Sequence, residues 1–201
     1  MPKINNHKLV INAIKDYLHH HPQCEYYVVT DPDIELDNVN DDILDFYIHV
    51  LNTTGVNSVG PMLRIDDIPD YYPRKQNVID GHGHQFWKRT RHRINYKNNK
   101  FLFIHCDTDT TFQLASRKNI PSNFPNGNSI RCLSPYSARH LDWYLDPNNL
   151  PPCQKYYAQR CSNTSHWANP RWNGNYFGKK IYNHFNITSK SIIDSAKLLL
   201  K

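Results

Sequence analysis

The stretch that decides the fold is Glu25-Tyr26-Tyr27-Val28-Val29-Thr30-Asp31-Pro32-Asp33-Ile34-Glu35-Leu36. Its first half is aromatic and β-branched, which predicts a buried strand. Pro32 has no amide hydrogen for a strand ladder, so the strand should end there. Asp31 and Asp33 then lie at the carboxyl end of a strand, where open α/β sheets bind their ligands. Two such carboxylates can hold a divalent cation, although an ordinary turn also uses Asp and Pro.

The composition is that of a globular protein with an excess of positive charge. The 201 residues include thirteen Tyr, eight Phe and four Trp, and they suffice for one sizeable core. The formal net charge is +6. Much of it comes from one basic segment that contains Lys88, Arg89, Arg91, His92, Arg93, Lys97 and Lys100. Such a segment favours an anionic partner (nucleotide phosphates, an acidic glycan, nucleic acid or a lipid surface) or is a solvated loop.

The cysteines and the hydropathy pattern indicate whether a zinc site or a membrane span is expected and in which compartment the protein is located. The five Cys are scattered and none forms a Cys-x-x-Cys pair, which argues against a zinc site. An odd number of Cys without a recognisable leader favours reduced thiols and a cytoplasmic location. No apolar run approaches the roughly 20 residues of a membrane span, so no transmembrane segment is expected.

Periodic patterns along the chain predict alternating strands and helices. Helical spacing of apolar residues predicts helices over residues 6–20, 40–51, 137–144 and 189–201. Apolar runs predict further strands over 58–65, 100–105 and 129–133. The alternation predicts a three-layer α/β fold. We expect one domain over residues 1–201, with residues 146–201 as a carboxyl-terminal lid or tail.

Further carboxylates follow two of the other predicted strands. Asp66 and Asp67 come after residues 58–65, and Asp107 and Asp109 come after residues 100–105. These side chains can face the same cleft as Asp31 and Asp33. Asp beside Pro is also normal turn chemistry, so the function of Asp66 and Asp67 stays open at this point.

Six stretches, taken together in their order and spacing, resemble the family-2-type glycosyltransferases. They are residues 26–33, 64–72, 85–87, 109–112, 135–144 and 165–167. The resemblance runs from about residue 24 to residue 168. It implies the GT-A fold, which is Rossmann-like: a mixed, mostly parallel sheet flanked by helices. It also implies transfer of a sugar from a nucleoside diphosphate sugar, with UDP the expected nucleotide, to a glycan or another hydroxyl acceptor.

The resemblance also implies a metal site and a cofactor, Mn²⁺ or Mg²⁺. Asp31-Pro32-Asp33 matches the family's DxD motif. By that match Asp33 binds the cation directly, and Asp31 binds the ribose or reaches the cation through water. His166 or His140 completes the coordination, or is a structural, hydrogen-bonded histidine.

The same resemblance implies roles in transfer, which we expect to be inverting. Asp109 is the expected base that deprotonates the acceptor hydroxyl, and Asp107 is the reserve. Arg139 is expected to contact the diphosphate. The candidates for binding sugar or acceptor are Trp87, Trp143, Asp66 and Asp67.

One departure from the family's pattern keeps two other functions open. GT-A enzymes usually carry a longer segment ahead of the DxD strand than the 30 residues before Asp31. A remnant of such an enzyme could bind a glycan or a partner without catalysis. Alternatively Asp31, Asp33, Asp107 and Asp109 could form the two-metal site of a nuclease or phosphoesterase. The glycosyltransferase hypothesis expects no nucleic-acid partner.

Overall fold

The computed structural model describes residues 6–36, 39–108, 110–146 and 148–158. The chain divides into two compact units, residues 1–144 and 145–201. The helices of the first unit are α1 (Asn6–His20), α2 (Ile43–Thr54) and α3 (Lys75–His82). Its strands are β1 (Tyr26–Thr30), β2 (Ile34–Glu35), β3 (Ser58–Pro61), β4 (Arg91–Tyr96), β5 (Asn99–His105), β6 (Phe112–Ser116), β7 (Ser129–Cys132) and β8 (Arg139–His140). The described part of the second unit contains α4 (Pro152–Ala158).

Six strands form one mixed sheet in the order β1-β6-β3-β7-β5-β4. Mixed α/β architecture is therefore confirmed. The prediction of a mostly parallel sheet is not confirmed, because β3 and β7 are the one parallel pair and the other four neighbouring pairs are antiparallel. One physical reason is a two-residue turn between β4 and β5, since so short a connection can join only antiparallel strands. Its residues, Lys97 and Asn98, have φ angles of 45° and 65°, which is typical of a type I′ hairpin.

One face of the sheet is covered by α2. Phe46, Tyr47 and Val50 of this helix are fully buried and pack against Val59 and Leu114 of the sheet. Phe46 stacks on Tyr136, with ring centroids 3.8 Å apart. Gly55 ends the helix in the left-handed region, at φ 70°, and its N–H donates to the carbonyl of Leu51, an arrangement that glycine adopts without a Cβ penalty.

The opposite face carries α1 at one side. Ile11, Ile14 and Leu18 of this helix are buried against Tyr27 of β1 and Ala115 of β6. Arg117 holds the carboxyl end of the helix, because its guanidinium donates to the carbonyls of Leu18, His21, Pro22 and Cys24. A cation at this end satisfies carbonyls that have no partner within a helix.

The centre of that second face is polar and is crossed by the segment between β5 and β6. Thr108 of this segment lies 2.6 Å, hydroxyl to hydroxyl, from Ser58 and donates to the amide oxygen of Gln113 at 3.0 Å. All three side chains are fully buried. The crossing requires glycine at position 60, where a Cβ would lie 2.4 Å from the carbonyl oxygen of Phe112 and 3.3 Å from Cγ2 of Thr108.

Several predicted elements differ in the structure. The predicted helix over 137–144 is instead β8 followed by a 3₁₀ turn at Leu141–Tyr144. The predicted strand over 58–65 ends at Pro61, beyond which Leu63 forms an isolated parallel bridge with Ala138. β1 is an edge strand with Val28 41% exposed, rather than a buried strand. The predicted helix over 189–201 lies outside the described residues.

Among the residues that the structure describes, no helix is long and apolar enough to cross a bilayer. The cytoplasmic location stays a prediction.

Candidate metal centre

The structure brings together three side chains that can ligate a cation. Asp31, Asp33 and His140 each offer one ligand atom, and these atoms all lie within 4.8 Å of one another. His140 Nδ1 is 3.2 Å from Oδ2 of Asp33, and the two side chains are 15% and 23% exposed. The group is therefore partly shielded from solvent.

The carboxyl end of β1 is fixed by the residue that leads into β6. The Asp31 N–H donates to the carbonyl of Thr111 at 3.0 Å, and the Thr30 hydroxyl donates to the same oxygen at 3.2 Å. β1 ends at Thr30, and Pro32 has no N–H with which to extend the ladder. Asp31 and Asp33 consequently leave the sheet at its edge on an anchored turn.

His140 reaches this turn through a small two-stranded ribbon. β2 and β8 pair antiparallel, with Ile34 opposite His140 and Glu35 opposite Arg139. The Leu141 N–H also donates to the carbonyl of Asp33 at 2.8 Å. Backbone pairing thus places His140, which is distant in sequence, directly beside the Asp-Pro-Asp turn.

Trp143 packs flat against the imidazole of His140. The ring centroids are 5.0 Å apart and the planes differ by 8°. Trp143 is 6% exposed, and the ring of His82 meets it edge-on at 4.8 Å. The indole therefore restricts the ring orientation of His140.

A network of opposite charges adjoins the ribbon on the side of Arg139. The Arg139 guanidinium contacts Asp67 at 2.6 Å and Glu35 at 3.1 Å. Arg64 also pairs with Asp67, at 2.9 Å, and the Tyr144 hydroxyl donates to the same carboxylate at 2.5 Å. Burial alone would raise the pKa of Asp67, but the hydrogen bonds from Tyr144 and Arg139 outweigh it and hold that pKa below its ordinary value.

The donor set fits a divalent cation of the kind that the sequence predicts. Carboxylate oxygens are the ligands that Mg²⁺ and Mn²⁺ prefer, and an imidazole nitrogen suits transition metals. Two carboxylates with one imidazole therefore fit Mn²⁺ better than Mg²⁺. The three residues would leave the remaining coordination positions to water or to a bound anion.

The other predicted site residues have varied positions. Asp107 is exposed and is not among the three clustered ligands; its backbone carbonyl accepts from Arg131 at 2.9 Å. Asp109 and His166 lie outside the described residues. Trp87 is half-buried and donates from its indole N–H to the carbonyl of Leu63 at 3.2 Å. The expected roles of these four residues in transfer stay predictions.

The residues expected to bind substrate are mostly engaged with other side chains. Asp66 is 63% exposed and pairs with Arg64. Asp67, Arg139 and Trp143 have the partners described above. Their contacts with diphosphate, sugar or acceptor stay predictions.

Sequence reasoning did not identify Glu35, Arg64 and Tyr144 as members of the charge network. Arg64 and Tyr144 lie inside stretches that carry the family resemblance, and Glu35 lies two residues beyond the first of these stretches. The sequence does show charged residues close to the candidate ligands. Which of them pair with each other depends on how β2 and β8 come together, and the sequence does not show this.

Comparison of this chain with protein-family models, with curated proteins and with solved structures finds no match.

Proposed function

We propose that this protein is a metal-dependent glycosyltransferase of GT-A type, which transfers a sugar from a nucleoside diphosphate sugar to a hydroxyl acceptor. The observation that carries the proposal is the convergence of Asp31, Asp33 and His140, with ligand atoms within 4.8 Å of one another. Asp31 and Asp33 stand where the resemblance puts the DxD motif. His140, one of two histidines that the resemblance offers as a ligand, is the one for which a position is described.

In this proposal Asp33 and His140 hold the cation, and Asp31 holds the ribose or a metal-bound water. A cation bound there supplies positive charge against the diphosphate that leaves during transfer. The chain's own contribution is orientation, because β2–β8 pairing and the Trp143 stack set the direction of the imidazole. Asp109, with Asp107 in reserve, is the proposed base for the acceptor hydroxyl.

The partial burial of the ligands supports this role. Side chains that are 15% and 23% exposed lie in surroundings less polar than water, where a cation and an anionic diphosphate attract each other more strongly. Asp31 and Asp33 also follow directly after the carboxyl end of β1. UDP with Mn²⁺ is the simplest ligand pair to test.

The proposal is tested by calorimetric titration of UDP into the full chain, with Mn²⁺ and with EDTA. We expect binding that requires Mn²⁺ and that Asp33→Ala abolishes. The matched control is Asp45→Ala, which removes an exposed carboxylate from α2 and should leave UDP affinity unchanged.

Two outcomes would count against the proposal. UDP affinity that is the same with Mn²⁺ and with EDTA would remove the metal from nucleotide binding. Absence of UDP binding in the folded wild-type chain would favour a non-catalytic binding protein. A two-metal nuclease would instead cleave nucleic acid in Mn²⁺, which can be assayed on the same samples.

A further inference from the structure

One segment of this protein is basic throughout. Residues 81–106 contain six Lys or Arg and no Asp or Glu, a formal charge of +6. This segment contains the β4–β5 hairpin.

Strand register places three of these cations on one face of the hairpin. Arg91 and Arg93 are two residues apart on β4, so their side chains point to the same side. Lys100 of β5 pairs with Asn95, which shares that side. We call Arg91, Arg93 and Lys100 the basic face. All three residues are exposed.

The basic face is not neutralised by carboxylates in the described part of the chain. The ion pairs found there include Lys97 with Asp42 at 2.7 Å, but none involves Arg91, Arg93 or Lys100. β4 is also the last strand of the sheet, so no further strand covers it among the described residues. Three cations thus stand together at an accessible edge.

We propose that the basic face docks this protein onto an anionic lipid surface. A two-stranded ribbon presents its side chains in one layer, which suits contact of several cations with a plane of headgroups. The aromatic residues of the hairpin lie on the opposite face, since Tyr96 and Phe101 pack against Phe46 of α2. Single-stranded nucleic acid needs exposed aromatic rings for base stacking, and the basic face does not provide them.

The contact would lie away from the candidate metal centre, so both can be occupied together. Five strand spacings separate β1 from β4, or roughly 24 Å at about 4.8 Å a spacing. The hairpin turn is nevertheless at the same end of the sheet as the Asp-Pro-Asp turn, because β4 runs parallel to β1. If the hairpin binds a surface, the candidate metal centre would lie at a fixed distance from that surface. The proposal does not depend on what the metal centre binds.

The experiment is vesicle co-sedimentation of the full chain. The vesicles contain phosphatidylcholine alone or with about one third phosphatidylserine, in EDTA and at two salt concentrations. We compare the wild type with Arg91→Gln/Arg93→Gln/Lys100→Gln. The matched control, Lys15→Gln/Lys118→Gln/Lys155→Gln, removes three exposed cations from other elements and lowers the net charge equally.

A cation near an anionic leaflet strengthens binding about fivefold. We therefore expect the basic-face variant to bind anionic vesicles about 100-fold more weakly, and the control variant to remain within a fewfold of wild type. Binding should also weaken as salt rises. Equal losses in the two variants, or wild-type binding that ignores phosphatidylserine, would overturn the proposal. Tighter, basic-face-dependent binding to duplex RNA than to vesicles would overturn it in favour of a nucleic-acid surface.

Discussion

Replacement of Trp143 by Leu should weaken Mn²⁺ binding although Trp143 does not ligate the cation. Trp143 lies parallel to the His140 ring at 5.0 Å and is 6% exposed. Leu keeps an apolar side chain at the position but removes the stacked ring. An aromatic pair contributes about 0.5–1.5 kcal/mol beyond its buried area. If that energy holds the imidazole in its binding orientation, Mn²⁺ affinity should fall about twofold to tenfold, since 1.4 kcal/mol corresponds to about tenfold.

The assay is titration of Mn²⁺ followed by the electron paramagnetic resonance signal of the free ion. Trp143→Phe keeps an aromatic ring and should restore most of the affinity, while His140→Ala should lose more than Trp143→Leu. Phe124→Leu is the control, because Phe124 is 5% exposed but packs beside α1. Urea unfolding confirms that each variant is folded. Wild-type Mn²⁺ affinity in Trp143→Leu, or an equal loss in Phe124→Leu, would refute the orienting role.

Two further predictions concern stability and are measured by urea unfolding. Gly60→Ala should lower the free energy of unfolding by about 2–3 kcal/mol, because its Cβ would overlap a backbone oxygen that cannot move aside. Gly81→Ala, with nothing within 4 Å of its Cβ, should instead be neutral or raise it by about 0.5–1 kcal/mol, and similar losses in both would contradict the reasoning. Asp67→Asn should cost about 2 kcal/mol at pH 7, since it removes the negative charge and one of the two carboxylate oxygens that accept from Arg139 and Tyr144. The folded-state pKa of Asp67 is lowered, so this stability is complete above the unfolded pKa of about 3.9 and is lost as pH falls through the folded pKa. A gap between wild type and variant that stays constant down to about pH 2 would contradict that assignment.

Local patterns predicted α1 and α2 and strands at β1, β3, β5 and β7, but they did not predict α3, β2, β4, β6 or β8. The apolar spacing in residues 6–20 predicted α1, and the run Phe101-Leu102-Phe103-Ile104 predicted the centre of β5. β4 was not predicted, because Arg91, His92 and Arg93 are all polar. The alternation of apolar and polar residues typical of a strand is visible only at Ile94 and Tyr96. The signal for β4 was the pair Lys97-Asn98, which forms the tight turn between the two strands.

Tertiary pairing was the harder part to predict. Residues 137–144 contain apolar positions at helical spacing, yet Arg139 and His140 pair with Glu35 and Ile34 instead. The competing interactions are ion pairs to Glu35 and Asp67, which a single sequence does not reveal. The grouping of Asp31, Asp33 and His140 depends on this pairing, because it brings β8 beside the Asp-Pro-Asp turn.

Arg139 and His140, the two residues of β8, lie on opposite faces of the β2–β8 ribbon and have different roles. Successive side chains of a strand alternate, so a shift of one residue would exchange the positions of Arg139 and His140. Arg139 opposes such a shift, because it would lose both Asp67 and Glu35. Asp67 would keep Arg64, but the half-buried Glu35 carboxylate would lose its cation, which is costly. The ion pairs on one face therefore fix the register that holds His140 beside Asp33 on the other. It follows that a charge-removing change at Arg139 would disturb the candidate metal centre through backbone register.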